Sequence, residues 1–144
     1  MGALTDKKAL ITGASRGIGR AIALAFAKEG ASLALFATSN EKLLDTASKC
    51  GELGCKTVHT FGLDVRNSAD VDGAVKKASE VLGGLDIVVN NAGVTKDNLL
   101  MRLSDDDYNA VMDTNMKGAF NVTRAATRSL MKSKAGRLIN IASI

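Results

Sequence analysis

The sequence feature that most constrains the fold is a glycine-rich stretch near the amino terminus, Thr12-Gly13-Ala14-Ser15-Arg16-Gly17-Ile18-Gly19. It follows the apolar residues 9–11 and opens an amphipathic stretch at 18–29, so the order is strand, tight turn and helix. A phosphate group needs backbone N–H groups that no side chain obstructs, and the three glycines lack a Cβ atom. A helix start adds unpaired N–H donors and the positive end of its dipole. The stretch therefore predicts a dinucleotide-binding turn, with an ordinary glycine-rich strand-to-helix turn as the alternative.

The composition indicates one soluble, globular domain over residues 1–144. Hydrophobic residues make up 46% and charged residues 24% of the chain, which excludes a disordered protein. The net charge of +4 favours an anionic ligand. Aromatic residues are 3% of the chain and Trp is absent, so we expect no nucleic-acid partner.

The chain has two cysteines, Cys50 and Cys55, and their spacing matches neither a zinc site nor a redox motif. We therefore expect free thiols in a reducing compartment and no metal site. Residues 1–6 lack the charged start and apolar core of a signal peptide, and no apolar run is long enough to cross a bilayer. These features predict a cytoplasmic protein without a membrane partner.

Apolar runs alternate with stretches of helical periodicity along the whole chain. The predicted strands are residues 8–11, 31–36, 56–61, 85–89 and 137–142, and the predicted helices are 18–29, 41–50, 71–82, 105–116 and 119–132. This alternation predicts an α/β fold, namely a Rossmann-type doubly wound parallel sheet in three α/β/α layers, with ligands at the carboxyl ends of the strands.

Side-chain spacing gives three local expectations. Five residues of the first helix recur at helical spacing and are expected to face the sheet: Ile18, Ala21, Ile22, Ala25 and Phe26. Ser39 and Asn40 have side chains suited to capping the second helix. The only tyrosine, Tyr108, is expected to have a packing role in its helix.

The spacing Thr-Gly-x-x-x-Gly-x-Gly in the glycine stretch resembles the short-chain dehydrogenase/reductase family. Further segments carry the same resemblance: Asp64-Val65, Asn90-Asn91-Ala92-Gly93, Asn115-Met116-Lys117-Gly118 and Ser143. The resemblance covers the whole chain, and it implies a set of cofactor contacts. These are Thr12, Gly13, Ser15, Arg16, Gly17, Ile18 and Gly19 in the turn, Asn91, Ala92 and Gly93 after the fourth strand, and Asp64 and Val65 at the adenine ring.

The resemblance also implies hydride transfer from a nicotinamide cofactor to a keto carbon. In that reaction Ser143 would hydrogen-bond the substrate's carbonyl oxygen, and Asn115 would bind a water in a proton relay. The family's proton donor lies in a Tyr-x-x-x-Lys motif after the serine, and the 144 residues contain no such motif. We therefore expect the amino-terminal part of a longer reductase, whose sheet lacks its last strands here and leaves residues 138–141 as an apolar edge.

The residues after the second predicted strand favour NADPH over NADH. NAD-selective sites of this fold place an acidic residue there, which accepts hydrogen bonds from the ribose hydroxyls. This chain has Thr38 and Ser39 at that place and no carboxylate, while Arg16 offers a positive fork to a 2′-phosphate. The alternative for Arg16 is a solvated surface side chain.

Three stretches, 12–20, 37–39 and 95–102, resemble the branch of the family that reduces 3-oxoacyl groups on acyl carrier protein in fatty-acid synthesis. The resemblance implies this loaded carrier as partner and a homotetramer built through the helices at 105–132. Four basic residues suit either docking of an acidic carrier or a solvated helix face: Arg128, Lys132, Lys134 and Arg137. Two other functions stay open, a reductase of another ketone and a cofactor-binding fragment without turnover.

Overall fold

The computed structural model describes residues 2–143, in which five parallel strands alternate with five α-helices. In chain order these are β1 (Lys8–Thr12), α1 (Gly17–Lys28), β2 (Ser32–Ala37), α2 (Leu44–Glu52), β3 (Val58–Gly62), α3 (Ser68–Leu82), β4 (Ile87–Asn90), α4 (Asp105–Val111), α5 (Gly118–Lys132) and β5 (Arg137–Asn140). Short 3₁₀ turns precede α2 (Glu41–Leu43) and α4 (Leu100–Arg102), and a π-helical turn (Met112–Lys117) joins α4 to α5.

The strands form one sheet in the order β3-β2-β1-β4-β5, and every neighbouring pair is parallel. The chain runs outward from β1 to β3, then crosses back and continues through β4 to β5 on the other side. The strand order therefore reverses between β1 and β4, which opens a crevice at their carboxyl ends. The predicted doubly wound α/β sheet is confirmed.

Alternate residues of the strands pack against different helical layers. In β1, Ala9 and Ile11 join the core beneath α1 and α2, whereas Leu10 joins the core beneath α3 and α5. Both faces of the central strands are covered, so β1, β2 and β4 are almost wholly buried apolar runs, as expected for a parallel sheet. β5 is exposed at the edge of the described sheet, with Leu138 and Ile139 about 40% accessible, which confirms the predicted apolar edge.

The predicted sheet-facing side of α1 was wrong. Ala21 and Ala25 are exposed and Ile18 is 61% accessible, whereas the fully buried residues are Gly19, Ala23 and Ala27. These small residues recur every four positions, so they form a stripe that lets the helix axis approach the sheet closely. The larger Ile22 and Phe26 pack at the flank of this stripe and are only partly buried.

Two further local expectations, capping of α2 by Asn40 and a packing role for Tyr108, were also wrong. The Asn40 side chain does not cap α2, because Asn40 already has helical backbone angles (φ −60°, ψ −38°) and begins the 3₁₀ turn through its carbonyl instead. The helical stretch expected at 105–116 is confirmed, as α4 up to Val111 and as the π-helical turn from Met112 onward. Tyr108 lies on the outer face of α4 and is 64% exposed.

The amino-terminal ends of the strands are held by Asp86, just before β4. Its carboxylate accepts from the Lys8 backbone N–H at 3.0 Å and from the Ser133 hydroxyl at 2.6 Å. Its carbonyl accepts from the Arg137 N–H at 2.8 Å. One residue thus joins β1, the end of α5 and β5, and a cavity of about 540 Å³ lies beside it, at the end of the sheet opposite the crevice.

Both cysteines are free and buried, and His59 is a partly buried strand residue. No helix within residues 2–143 combines the length and the apolar content that a bilayer span requires. Within the same residues, no cluster of acidic, histidine and cysteine side chains has the make-up of a metal site.

Burial, together with the neighbouring Cys55 thiol, raises the pKa of Cys50 from 9.0 to about 11. The unfolded thiol ionises near its ordinary pKa while the folded thiol stays neutral. The contribution of Cys50 to the free energy of unfolding is therefore complete below pH 9 and declines, by on the order of 2 kcal/mol, as pH rises towards 11. Urea denaturation across this pH range measures the decline. Cys50→Ala removes this group and should make the decline shallower, with the remainder due to Cys55, whose pKa burial also raises; an unchanged profile would contradict the assignment.

Candidate functional site

The crevice between β1 and β4 is organised by the hydroxyl group of Thr12, the last residue of β1. The Thr12 Oγ1 atom accepts from the backbone N–H groups of Asn91 and Ala92, each at 2.9 Å, and its own proton faces the Val89 carbonyl at 3.5 Å. Thr12 is 2% exposed, so these groups meet away from water. The hydroxyl therefore ties the end of β1 to the loop that follows β4.

The glycine turn packs against this same loop. Gly19 lies so close to the Gly13 carbonyl that a Cβ atom at position 19 would overlap it and the Asn91 side-chain amide. That amide donates to the Gly13 carbonyl at 3.2 Å. The structure thus brings Thr12, Gly13, Gly19, Asn91 and Ala92 together, as expected for a single site.

Gly17 faces open space at the first residue of α1. Its φ is 58°, a left-handed conformation that favours glycine, and no atom lies within 4 Å of where its Cβ would be. Among the described residues, no side chain caps α1 and no acidic residue lies in its first turn. The start of α1 therefore keeps both the N–H donors and the space that a phosphate needs, so the residues present fit a nucleotide's diphosphate.

Arg16 precedes α1 in an extended conformation (φ −158°) and is exposed, and Ile18, the second residue of α1, is also exposed. Ser15, which lies between Ala14 and Arg16 in the sequence, is half-buried. Ala14 fixes the turn to the neighbouring strand β2, because its N–H donates to the Phe36 carbonyl at 3.0 Å. This bond places the Arg16 segment beside the end of β2, where Thr38 and Ser39 follow.

Thr38 is exposed and Ser39 is half-buried at the carboxyl end of β2. The Lys42 ammonium group donates to the Thr38 Oγ1 atom at 3.1 Å. Sequence reasoning missed Lys42, although its spacing of four residues from Thr38 on the way into a helix was the available signal.

Asp64 and Val65 follow β3 and have different environments. The Asp64 carboxylate is paired with Arg66 at 2.7 Å, and the Arg66 side chain holds the pKa of this carboxyl below its usual value. Val65 is 8% exposed, and its carbonyl accepts from the Asn121 side chain at 2.9 Å. Asp64 is therefore an exposed acid whose charge is paired with Arg66, while Val65 is buried and fixed to α5.

Asn115 lies in the π-helical turn, and its side-chain amide hydrogen-bonds the backbone of the loop after β4. Its Oδ1 accepts from the Val94 N–H at 2.8 Å, and its Nδ2 donates to the Val94 carbonyl at 3.0 Å. Gly93 packs on the same amide, since a Cβ atom there would lie 3.1 Å from the Asn115 Oδ1. The amide thus positions the Gly93–Val94 backbone. A π turn often occurs at functional sites, and here it turns Asn115 towards that loop.

Ser143 lies beyond β5, on the other side of β4 from the glycine turn, and it is exposed. A neighbouring polar network, which the sequence did not reveal, links β4 to β5 and α5. The Asn90 Nδ2 donates to Asn140 Oδ1 at 2.9 Å and to Thr123 Oγ1 at 3.0 Å. The sequence predicts Asn91, Ala92 and Gly93 as site residues, whereas Asn90, just before them, holds in place the strand that carries them.

The model of the family described as short chain dehydrogenase matches residues 7–144. The chain belongs to this family. The glycine turn, the loop after β4 and Asn115 described above therefore belong to a short-chain dehydrogenase.

Two curated relatives are 3-oxoacyl-[acyl-carrier-protein] reductases. FabG of Staphylococcus aureus is 42% identical over 141 residues, covering 96% of this chain and 56% of the relative. FabG of Vibrio cholerae is 40% identical over 141 residues, covering 98% of this chain and 56% of the relative. The chain thus spans 56% of the length of these relatives.

Solved structures of the family are similar to this chain. A short-chain type dehydrogenase/reductase from Mycobacterium marinum has a TM-score of 0.92 and 34% identity, covering 97% of this chain and 57% of that structure. A short chain dehydrogenase from Burkholderia cenocepacia in complex with NADP has a TM-score of 0.90 and 35% identity, covering 97% of this chain and 56% of that structure. These likenesses agree with the Rossmann-type fold.

The Thr12 hydroxyl gives the first test of the site. Thr12→Val leaves two backbone N–H groups without their acceptor, so we expect a loss of about 1–3 kcal/mol in the free energy of unfolding. Thr12→Ser keeps the acceptor and should lose less. Thr127→Val is the matched control, because the exposed Thr127 hydroxyl bonds only to a carbonyl of its own helix. Urea denaturation compares the three variants, and an equal loss at both threonines would contradict the role of Thr12.

Proposed function

We propose that the protein containing this chain is an NADPH-dependent oxidoreductase that reduces a 3-oxoacyl group on acyl carrier protein to the 3-hydroxyacyl form. The observation that carries the proposal is the open start of α1 with the exposed Arg16 before it, together with Thr38 and Ser39, and no carboxylate, as the first two residues after β2. The two FabG relatives support the substrate class. The Burkholderia cenocepacia structure supports the choice of NADP as the cofactor.

The cofactor's phosphates would lie at the start of α1, where the backbone N–H groups and the helix dipole favour an anion. The residues around the phosphates would be Thr12, Gly13, Ser15, Gly17, Ile18 and Gly19. One wall of this site would be formed by Asn91, Ala92 and Gly93. The adenine ring would lie over Asp64 and Val65. Arg16, Thr38 and Ser39 would receive the 2′-phosphate, since a guanidinium fork and two hydroxyls are donors and none of them repels a dianion.

The bound nicotinamide would supply a hydride to the substrate's keto carbon. The Ser143 hydroxyl would donate a hydrogen bond to the keto oxygen and stabilise the negative charge that grows there. Asn115 would hold the loop after β4 in place through Val94, and it would bind a water of the proton relay. The 144 residues contain no Tyr-x-x-x-Lys motif, so the proposal assigns the proton donor to none of them.

A carrier protein loaded with the 3-oxoacyl chain is the proposed partner. Arg128, Lys132, Lys134 and Arg137 are all exposed around the end of α5 and the start of β5. Because this positive surface lies at the end of the sheet opposite the crevice, a solvated helix face explains it better than docking of an acidic carrier whose acyl group would react in the crevice. Free, buried thiols agree with a reducing compartment, so we place the reaction in the cytoplasm.

The specific alternative is a chain that binds NADP(H) without turnover. A fluorescence titration with NADPH, followed by an assay with a 3-oxoacyl thioester, separates the two functions. Saturable binding with reduction supports the reductase. Saturable binding without reduction supports the fragment. Reduction of unrelated ketones in preference to the thioester would favour a different substrate.

Arg16→Ala tests the cofactor assignment. Loss of a charge-assisted hydrogen bond to the 2′-phosphate should weaken NADPH binding roughly tenfold or more and leave NADH binding nearly unchanged, because NADH lacks that phosphate. The control is Lys28→Ala, which removes a charge at the other end of the same helix. Both dissociation constants are measured by titration of the cofactor's fluorescence. An equal loss for NADPH and NADH would exclude 2′-phosphate recognition by Arg16.

A homotetramer assembled through α4 and α5 completes the proposal. Phe120 and Met131 are 58% and 80% exposed, and they lie roughly three helical turns apart on one face of α5. Tyr108 on α4 and Met116 in the π-helical turn are 64% and 62% exposed. Large apolar side chains grouped on one surface are typical of a protein–protein interface.

Phe120→Glu places a charge on this surface, so we expect the tetramer to dissociate into smaller species in sedimentation experiments. Leu53→Glu is the matched control: Leu53 is 44% exposed at the end of α2, on the opposite face of the sheet. A tetramer that survives Phe120→Glu but not Leu53→Glu would place the interface elsewhere.

A further inference from the structure

Lys42 makes a contact at the cofactor end of the sheet that the proposed function has not used. It lies in the 3₁₀ turn before α2, and its Nζ atom donates to Thr38 Oγ1 at 3.1 Å. Thr38 is the first residue after β2, the position at which folds of this kind distinguish a ribose hydroxyl from a 2′-phosphate. A cation therefore stands at the selectivity position without being part of the glycine turn.

The position of Lys42 is unfavourable for helix stability. The amino-terminal end of a helix carries partial positive charge, which disfavours a cation there. The nearby Asp45 carboxylate does not compensate Lys42, because it is paired with Arg20 at 2.7 Å. Lys42 and Thr38 are also both exposed, so their hydrogen bond contributes little to folding. Stability alone does not account for this arrangement.

The Lys42 contact fixes the polarity of the Thr38 hydroxyl. Because the ammonium group donates to Oγ1, the Thr38 proton points away from Lys42 and is available to an acceptor. Two further N–H groups remain on the Lys42 ammonium, which has three donors in all. The pair thus presents several donors and one positive charge, a set that suits a phosphate dianion, whereas only the second lone pair of Thr38 Oγ1 is left to accept from an unphosphorylated ribose.

We propose that Lys42 is a second 2′-phosphate-recognition residue, which acts with Thr38 across the site from Arg16 and raises selectivity for NADPH over NADH. This inference rests on the proposed use of NADPH. Arg16 approaches from the glycine turn and Lys42 from the start of α2, so the two cations flank the end of β2 from different elements. The exposed Glu41 carboxylate next to Lys42 lowers the positive potential of this segment. Recognition by Lys42 therefore depends on its direct contact with the 2′-phosphate more than on the net charge of the segment.

The test compares Lys42→Met with Lys49→Met. Methionine keeps the length and the apolar stem of lysine and removes the charge, and Lys49 lies in the last turn of α2, away from Thr38. We expect Lys42→Met to raise the dissociation constant of NADPH roughly fivefold and that of NADH hardly at all. Lys49→Met should change neither. The Lys42 effect should shrink at high salt, because ions screen an exposed charge pair.

A double-mutant cycle with Thr38→Val tests the shared action of the pair. If Lys42 orients the Thr38 hydroxyl, the double variant should lose less NADPH affinity than the two single losses predict together. Urea denaturation of each variant checks that the fold is retained, since a purely structural role would lower stability and weaken both cofactors alike.

The outcomes separate this inference from the proposed function. If the unaltered protein prefers NADPH, Arg16→Ala removes the preference, and Lys42→Met behaves like Lys49→Met, then NADPH use stands and the role of Lys42 is wrong. A loss of equal size for NADPH and NADH in Lys42→Met also overturns it. If the unaltered protein shows no preference for NADPH, both the cofactor assignment and the role of Lys42 fail.

Discussion

The hydroxyl of Thr12 is the contact on which the crevice depends. It joins strands that are neighbours in the sheet but lie on opposite sides of the chain reversal, and nothing in the local sequence brings them together. Without a buried acceptor there, two N–H groups of the loop after β4 would lose their partner. The same loop also packs on Gly13 and is hydrogen-bonded by Asn115. The Thr12 side chain therefore sets the position of both walls of the crevice, the glycine turn and the loop after β4.

Rigid and open parts alternate around this crevice. The turn from Gly13 to Ala14 is fixed by bonds to β2 and to the loop after β4, whereas Arg16, Gly17 and Ile18 project into open space. The fixed residues define where a ligand's backbone would lie, and the exposed ones are free to meet its substituents. This division agrees with a site that recognises a common dinucleotide frame through main-chain atoms and a particular phosphate through side chains.

Local patterns made much of this structure predictable. The glycine turn, the alternation of strands and helices and the missing carboxylate after β2 depend on short stretches, so sequence alone was sufficient for them. The buried face of α1 was not predictable in the same way, because Ile18, Ala23 and Phe26 lie on different sides of a helix that is apolar nearly all round. The partners of Asn115 and Asn90 are tertiary contacts, and only the folded chain reveals Val94, Thr123 and Asn140 as those partners.

The Asp86 junction has a consequence for how such a chain diversifies. It links β1, β5 and the end of α5 at the amino-terminal ends of the strands, which is the end of the sheet opposite the crevice. The loops at the carboxyl ends of the strands therefore contribute less to holding the strands in place. Substitutions, insertions and exchanged segments in those loops change which ligands the crevice accepts, while the Asp86 junction preserves the sheet. New ligand preferences can therefore arise without loss of the fold.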